Sequence, residues 1–306
     1  MKKLFCIFFA LILAIALIGC GGADKEDGSA DTSASTAGDV AENTEKTPED
    51  TKAEASDDVD TSVFDHELCS IKLVGFEKDD YYGNVVTVEY ENKTADQNHM
   101  YTVKYANVNG VQCETLGITT VEAGKSVTDE VVISTEVAEI YGMTEITDIE
   151  LVIDVSNADD MSAIEEISEV SLNYYPNGKE NATDFVREAV ATEKVVAEND
   201  HVKFTYVETI IDDLGGYNYV FYVENKSDKN ISLTGSSAYV NETKIDTLYS
   251  DMVGAGNKKF TVMYWDEATL AGVGASTVEK LEANVWVMDD DVMSADYGTL
   301  NIVVTP

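Results

Sequence analysis

Apolar and polar residues alternate one by one along several stretches of the chain after residue 62. In the clearest of them, Ile149, Leu151, Ile153 and Val155 occupy every second position. A period of two sends successive side chains to opposite faces of a strand and predicts half-buried β-strands. Counting such stretches gives about seven strands in each roughly 100-residue unit, the size of an immunoglobulin-type β-sandwich. We therefore predict an all-β fold.

The same stretches belong to an internal repeat. The sequence Glu-Asn-Lys-Thr at 91–94 recurs as Glu-Asn-Lys-Ser at 224–227, and from residue 105 to 163 the two copies stay in register without a gap. A period of about 130 residues is too long for a solenoid repeat and has the size of a domain. The repeat predicts two tandem immunoglobulin-like β-sandwich domains, at 63–176 and 195–306.

One short helical turn interrupts each predicted domain. Ser134 precedes the first turn and Gly142 follows it, whereas Asp266 and Gly274 flank the second. Ser or Asp before a helix and Gly after it are typical capping residues. Between the two units, the polar residues 177–194 are compatible with a short helix and equally with an open linker.

At the start of the chain, two lysines precede an apolar run from residue 4 to residue 18, which ends close to Cys20. This order is that of a secretory signal peptide, here residues 1–19. An uncleaved membrane span is the alternative, but the run falls short of the ~20 apolar residues that a span needs. The ending Leu-Ile-Gly-Cys resembles the lipobox of bacterial lipoproteins. That resemblance implies cleavage before Cys20 and a lipid on its sulfur, which makes the membrane a partner.

Residues 20–62 form an acidic stretch of Asp, Glu, Ser, Thr, Ala and Gly without an aromatic residue. Such a segment buries too little apolar surface to offset its ordering entropy, so we predict a disordered linker. The whole chain is acidic as well, with 58 acidic and 20 basic side chains and a net charge of −38. Because nucleic acids attract basic surfaces, this charge argues against a nucleic-acid partner.

The order of signal segment, Cys20, acidic linker and tandem β units resembles the surface lipoproteins of Gram-positive bacteria that carry immunoglobulin-like modules. The resemblance implies an extracytoplasmic, lipid-anchored protein with a non-catalytic role in display or interaction. The resemblance implies no catalytic residue, because those surface lipoproteins have no catalytic residues that could be assigned to positions of this chain. A solute-binding lipoprotein of a transporter is disfavoured, since such proteins need alternating strand and helix patterns.

Two cysteines remain in the predicted mature domains, Cys69 and Cys113. We align them with Asp200 and Ile245 of the second copy, so the fold itself does not require a bridge. One interpretation is a disulfide within the first domain, and the other is two unpaired thiols with Cys113 in the core. An exported protein can keep a disulfide, and this favours the bridge.

The sequence contains no pattern that assembles a catalytic or metal site. Neither a nucleophile elbow nor a phosphate-binding loop occurs, so we expect a protein that is not an enzyme and has no cofactor. The histidines His66, His99 and His201 are scattered and are expected to be solvated loop residues, not zinc ligands. The aspartates at 159–160 and 289–291 lack the order of an EF-hand loop, which favours solvated loops over a Ca²⁺ site.

One candidate binding face remains, formed by Trp265, Trp286 and Met288. Trp286 and Met288 stand where the first copy has Asp154 and Ser156, which predicts a strand that is apolar on both faces. Exposed apolar patches usually mark interaction sites, and a Trp surface suits a surface protein or a cell-wall glycan. A glycan-binding module is therefore the second functional hypothesis. A cover from the linker or first domain, or a wrong assignment of the strand faces, stays open.

Overall fold

The computed structural model describes residues 60–79, 82–160, 166–290 and 296–306, which form a mostly β protein with sheets packed as in a β-sandwich. All of them belong to one compact unit. The predicted signal peptide, Cys20 and the predicted linker up to residue 59 lie outside the described residues. None of the helices in the described ranges is long and apolar enough to cross a bilayer.

The first copy of the repeat, together with the residues just before it, supplies the strands β1 to β10 and the helix α1. Their bounds are β1 Asp60–Thr61, β2 Val63–Asp65, β3 Cys69–Asp79, β4 Gly83–Asn92, β5 His99–Val108, β6 Val111–Leu116, β7 Ile118–Val121, β8 Ser126–Ser134, α1 Glu136–Ile140, β9 Ile149–Asn157 and β10 Ile167–Tyr175.

The second copy supplies the strands β11 to β19 and the helix α2. Their bounds are β11 Lys194–Glu198, β12 Val202–Ile211, β13 Tyr217–Asn225, β14 Ile231–Val240, β15 Thr243–Ile245, β16 Ser250–Val253, β17 Lys258–Trp265, α2 Glu267–Gly272, β18 Leu281–Asp289 and β19 Asp296–Val304.

The two copies pair their strands in the same order. In the first, β3, β4 and β8 are neighbours in one layer, and β5, β9 and β10 are neighbours in the other. In the second, β12, β13 and β17 correspond to the first set, and β14, β18 and β19 to the second. All of these pairs are antiparallel. Equal sequence patterns therefore produce equal strand pairing, and the division into two domains stays a prediction.

Two hydrophobic clusters fill the space between the layers, one mainly from each copy. The alternating residues Ile149, Leu151, Ile153 and Val155 are all fully buried, and so are Val285 and Val287 of β18. The prediction of which side of these strands faces inward is confirmed. Burial of this apolar surface is the main stabilising contribution to such a fold.

The fold begins before residue 63, the predicted start of the first domain. β1 pairs with the end of β10 at Tyr174 and Tyr175, and the Ser62 amide donates to the Asn173 carbonyl oxygen at 2.9 Å. Extended backbone gains these hydrogen bonds by completing a sheet edge. The prediction that residues 60–62 belong to a disordered linker is therefore wrong.

Between the copies, residues 177–194 are ordered against the rest of the protein. They contain one 3₁₀ turn, Lys179–Asn181, and a second turn at 191–192, and are otherwise without regular secondary structure until β11 begins at Lys194. The Phe185 amide donates to the Asn109 carbonyl oxygen at 2.7 Å. Arg187 pairs with Glu193 and lies over the Tyr222 ring, 4.6 Å from its centroid. The segment is thus neither a regular helix nor an open linker.

The two helical turns differ in how they begin. α2 has the predicted cap, because Asp266 accepts a hydrogen bond from the Thr269 amide at 2.7 Å. α1 starts after Thr135, whose side chain makes no capping bond; Ser134 is instead the last residue of β8. Both turns end in the predicted glycine with positive φ, 103° at Gly142 and 77° at Gly274.

The two copies meet at a junction where β6 of the first runs parallel to β17 of the second and pairs Gln112 with Lys259. The Gln112 amide donates to the Met252 carbonyl oxygen at 2.8 Å, and its Oε1 accepts from the Gly254 amide at 2.7 Å. The Lys259 side chain is only 4 % exposed and pairs with both Asp251 and Glu114. Side chains from both copies therefore fix this contact.

Candidate binding face

The outer side of β14, β18 and β19 carries the exposed tryptophan. Trp286 lies in the middle of β18 with 40 % of its surface exposed, whereas its neighbours Val285 and Val287 point into the core. Across the sheet, Trp286 pairs with Thr234 on β14 and with Thr299 on β19. Directly paired residues project to the same face, so the indole lies between two threonines.

A ladder of amide and hydroxyl groups crosses the same three strands beside Trp286. The Asn301 side-chain nitrogen donates to Asn284 Oδ1 at 3.1 Å, and the Asn284 nitrogen donates to the Ser237 hydroxyl oxygen at 2.9 Å. Each amide nitrogen carries a second hydrogen that this ladder does not use. We call Trp286, the two threonines and this ladder the Trp286 face.

The indole of Trp286 is held in a fixed direction. Its Nε1 donates to Asp296 Oδ1 at 2.8 Å, and the same oxygen accepts from the Gly298 amide at 2.7 Å. The carboxylate thus ties the edge of the ring to the start of β19. An aromatic side chain has few rotatable bonds, and this hydrogen bond restrains it further.

The predicted face of three residues is wrong in two of its members. Trp265 is 4 % exposed, and its Nε1 donates to the Asp246 carbonyl oxygen at 2.8 Å while its ring meets Tyr219 edge-on. It is in phase with the other inward residues of β17 and therefore belongs to the core. Met288 is 6 % exposed. Only Trp286 is left on the surface.

The first copy has a largely buried ion pair at the equivalent place. Asp154 pairs with Thr102 as Trp286 pairs with Thr234. Its carboxylate lies 3.7 Å from Lys104 Nζ, and Glu169 lies 3.5 Å from the same nitrogen. Burial opposes the charge of Lys104, but these carboxylates outweigh it and raise the pKa of the lysine. The same strand position therefore holds an ion pair in one copy and an indole in the other.

The two cysteines are free, so the predicted disulfide is wrong. Cys69 pairs with Asn92 at the end of the sheet where β8 begins, and Cys113 lies on β6 beside the other end of β8. A strand rises about 3.3 Å per residue, so the 9 residues of β8 separate them by roughly 25 Å. A disulfide needs Cα atoms within about 7 Å.

Register also corrects the residue that was aligned with Cys69. Cys69 opposes Asn92 as Val202 opposes Asn225, so its counterpart is Val202, not Asp200. Both thiols replace aliphatic core residues. Burial raises the pKa of Cys69 to about 11 and that of Cys113 to about 12. At neutral pH both are protonated and unsuited to nucleophilic chemistry.

One of the three histidines is not the solvated loop residue that we expected. His99 opens β5 and is fully buried, with Glu166 Oε2 3.2 Å from its Nε2. Its counterpart in the second copy is Ile231, since His99 opposes Asn157 as Ile231 opposes Asp289. Burial lowers the pKa of His99 against the opposing effect of Glu166.

The described residues offer little for metal or catalytic chemistry. No group of three or more His, Cys, Asp or Glu side chains that could hold a metal occurs among them. A cleft of about 60 Å³ lies at the junction between the copies, next to Cys113 and Phe260. A water molecule takes up about 30 Å³ in the liquid, so the cleft has the volume of about two water molecules.

Sequence reasoning missed the buried charge at this junction. Lys259 occupies the position of Val127, because Lys259 opposes Val223 as Val127 opposes Tyr90. A lysine replacing a valine at an equivalent strand position was the available signal. The ion-pair partners of Lys259 depend on the contact between the copies, and the periodicity of the sequence does not predict that contact.

Comparison with known proteins identifies no relative. The sequence matches no family model and no curated protein. Among solved structures, similarity is found to the Salmonella enterica SafA pilin in complex with the SafB chaperone, at 12 % identity over 72 % of this chain and 89 % of that one, with a TM-score of 0.19. The YadV chaperone is matched at 9 % identity over 72 % and 92 % of the two chains, with a TM-score of 0.20. A mutant of Bacillus subtilis oxalate decarboxylase gives a TM-score of 0.13 at 9 % identity over 84 % and 79 %.

Proposed function

We propose that this chain is a lipid-anchored, extracytoplasmic protein of a Gram-positive bacterium with a non-catalytic interaction role. The proposal rests on the lipobox-like ending at Cys20 for the anchor. For the role, it rests on the Trp286 face. The second copy exposes an oriented aromatic ring at a strand position where the first copy has a largely buried ion pair.

The Trp286 face is the observation that carries the interaction role. A tryptophan that is 40 % exposed on the outer side of a sheet leaves apolar surface in contact with water, and such residues are enriched at binding sites. The Asp296 hydrogen bond fixes the ring before any partner arrives, which lowers the entropy cost of binding. A partner would therefore meet a preformed surface.

The junction supports presentation of this surface in a fixed geometry. Gln112 hydrogen-bonds across it, Lys259 forms ion pairs with groups from both copies, and Tyr141 stacks on Phe260 at 4.9 Å between ring centroids. Buried polar contacts of this kind specify one arrangement when their members are satisfied. In our proposal the first copy acts as a stem and the second carries the contact surface.

The anchor is tested by expressing the full chain in a Gram-positive host with radioactive palmitate. The natural chain and Cys6→Ser should incorporate label and sediment with membranes, because Cys6 lies inside the predicted signal peptide. Cys20→Ser should lose the label. Equal labelling of Cys20→Ser and Cys6→Ser would contradict the lipid attachment.

A further inference from the structure

We propose that the Trp286 face binds an uncharged sugar chain. This inference rests on the proposed interaction role and names its ligand class. The geometry that carries it is an oriented indole between two threonines, next to a ladder of asparagine and serine side chains on three adjacent strands.

The indole of Trp286 can stack against the face of a sugar ring. A pyranose ring has one face of C–H groups, which is apolar and flat, and such a face is complementary to the face of an aromatic ring. Trp286 is restrained at its nitrogen edge by Asp296, so its ring plane is available as a fixed platform. Trp286 is 40 % exposed on the outer side of the sheet, which suits a ring within a long chain.

The polar surroundings match the hydroxyl groups of a sugar. Thr234, Thr299, Asn284, Asn301 and Ser237 supply hydroxyls and amides, which both donate and accept hydrogen bonds. Thr299 and Asn301 are exposed on β19. A sugar hydroxyl also donates and accepts, so either orientation finds a partner. The Asn301–Asn284–Ser237 ladder crosses three strands and thus offers such groups on one side of Trp286.

Charge selects against anionic ligands. The chain carries a net charge of −38, which repels polyanions over distances of about a Debye length. Asp296 borders the Trp286 face, and its Oδ1 accepts from the indole and from the Gly298 amide. At the equivalent position of the first copy, Asp154 is buried and pairs with Lys104. The Trp286 face of the second copy therefore fits an uncharged ligand.

A protein partner fits this face less well. Stable protein interfaces bury about 800 Å² on each side around a core of several apolar anchors. The Trp286 face has one large apolar side chain, because Trp265 and Met288 are buried. Its other members are short and polar. One aromatic platform with hydrogen-bonding neighbours is sufficient for a sugar ring.

Tryptophan emission of the full chain, titrated with chitohexaose and in parallel with cellohexaose, tests the proposal. We expect a saturable change with at least one of these uncharged oligosaccharides. Trp286→Ala should weaken binding at least tenfold, measured by calorimetry, and Trp286→Tyr should retain most of it. Tyr82→Ala removes an aromatic residue that is 53 % exposed elsewhere and should leave binding unchanged.

The remaining tryptophan provides the control for folding. Trp265 is buried and hydrogen-bonded in the core of the same copy, so its blue-shifted emission in Trp286→Ala reports an intact fold. No response of the natural chain to either sugar, or unchanged affinity in a folded Trp286→Ala, would overturn the proposal. Such a failure is separate from failure of the anchor, which palmitate labelling of Cys20 tests independently.

Discussion

The two copies share a strand order but differ at an equivalent strand position, which is buried in the first copy and exposed in the second. On the outer side of β9 the first copy has Asp154, paired with Lys104, whereas β18 of the second has the exposed Trp286. The cross-strand neighbour is threonine in both, Thr102 and Thr234. The backbone frame is thus constant, and single side chains decide whether a face is charged or aromatic.

At several buried positions, one copy has a polar or ionisable side chain where the other has an aliphatic one. His99 and Cys113 of the first copy stand where the second has Ile231 and Ile245. Conversely, the second has Lys259 where the first has Val127. Each copy therefore tolerates a polar group that the other replaces with an aliphatic one. Replacing such a residue by its counterpart in the other copy measures how much it contributes to the free energy of unfolding.

The largest effect is expected at the junction. Lys259→Val, which introduces the residue of the first copy, should lower the free energy of unfolding by about 3–5 kcal/mol, because it leaves the buried Asp251 carboxylate without its cation. The double variant Lys259→Val/Asp251→Thr should recover part of that loss, since Thr119 is the counterpart of Asp251. Urea unfolding measures both.

The matched control is the exposed neighbour Lys258. Lys258→Val should change the unfolding free energy by less than about 0.5 kcal/mol. Equal losses in Lys258→Val and Lys259→Val would mean that the ion pairs at the junction do not stabilise the protein.

A smaller effect is expected from the buried histidine. The pKa of His99 is lowered in the folded protein, so the unfolded chain binds a proton more readily below about pH 6.5. Stability should therefore be complete above that pH and fall as the pH decreases, by at most about 1.4 kcal/mol per pH unit for one proton. Unfolding in urea between pH 8 and pH 5 measures this slope.

Replacement by the residue of the second copy isolates this contribution. His99→Ile should reduce the dependence of stability on pH in that range. If the unfolding free energy of His99→Ile and of the natural chain changed equally with pH, groups other than His99 would cause the pH dependence.

The smallest effect is expected from reduction. Because Cys69 and Cys113 are free and buried at opposite ends of a sheet, dithiothreitol should leave the melting temperature unchanged. Both thiols should react with a maleimide in denaturant but not in the native protein. Non-reducing peptide mapping that links Cys69 to Cys113 would contradict the structure.

Much of the fold could be predicted from period-two patterns. The inward positions Ile149, Leu151 and Ile153 followed from alternation alone, and so did the inward side of β18. Gly142 and Gly274 marked both helix ends, because a positive φ favours glycine. These features depend on residues that are close together in the sequence, so they can be predicted without knowing the tertiary contacts.

The remaining features depend on contacts between distant segments. The alternation could not show that Cys69 and Cys113 lie at opposite ends of the sheet, because register is a property of paired strands. The ion pairs of Lys259 arise only where the two copies meet. For Trp265 the available signal was misjudged, since it replaces Ile133, a buried residue of the first copy.

The most direct test of the difference between the copies is calorimetric titration of the full chain and of Trp286→Asp with chitohexaose and with cellohexaose. This substitution gives the second copy the residue that the first has at the same strand position. We predict saturable heat of binding from the natural chain with at least one sugar and none from a folded Trp286→Asp. Equal binding by both proteins, or binding by neither, would contradict the assignment of the Trp286 face as a sugar-binding surface.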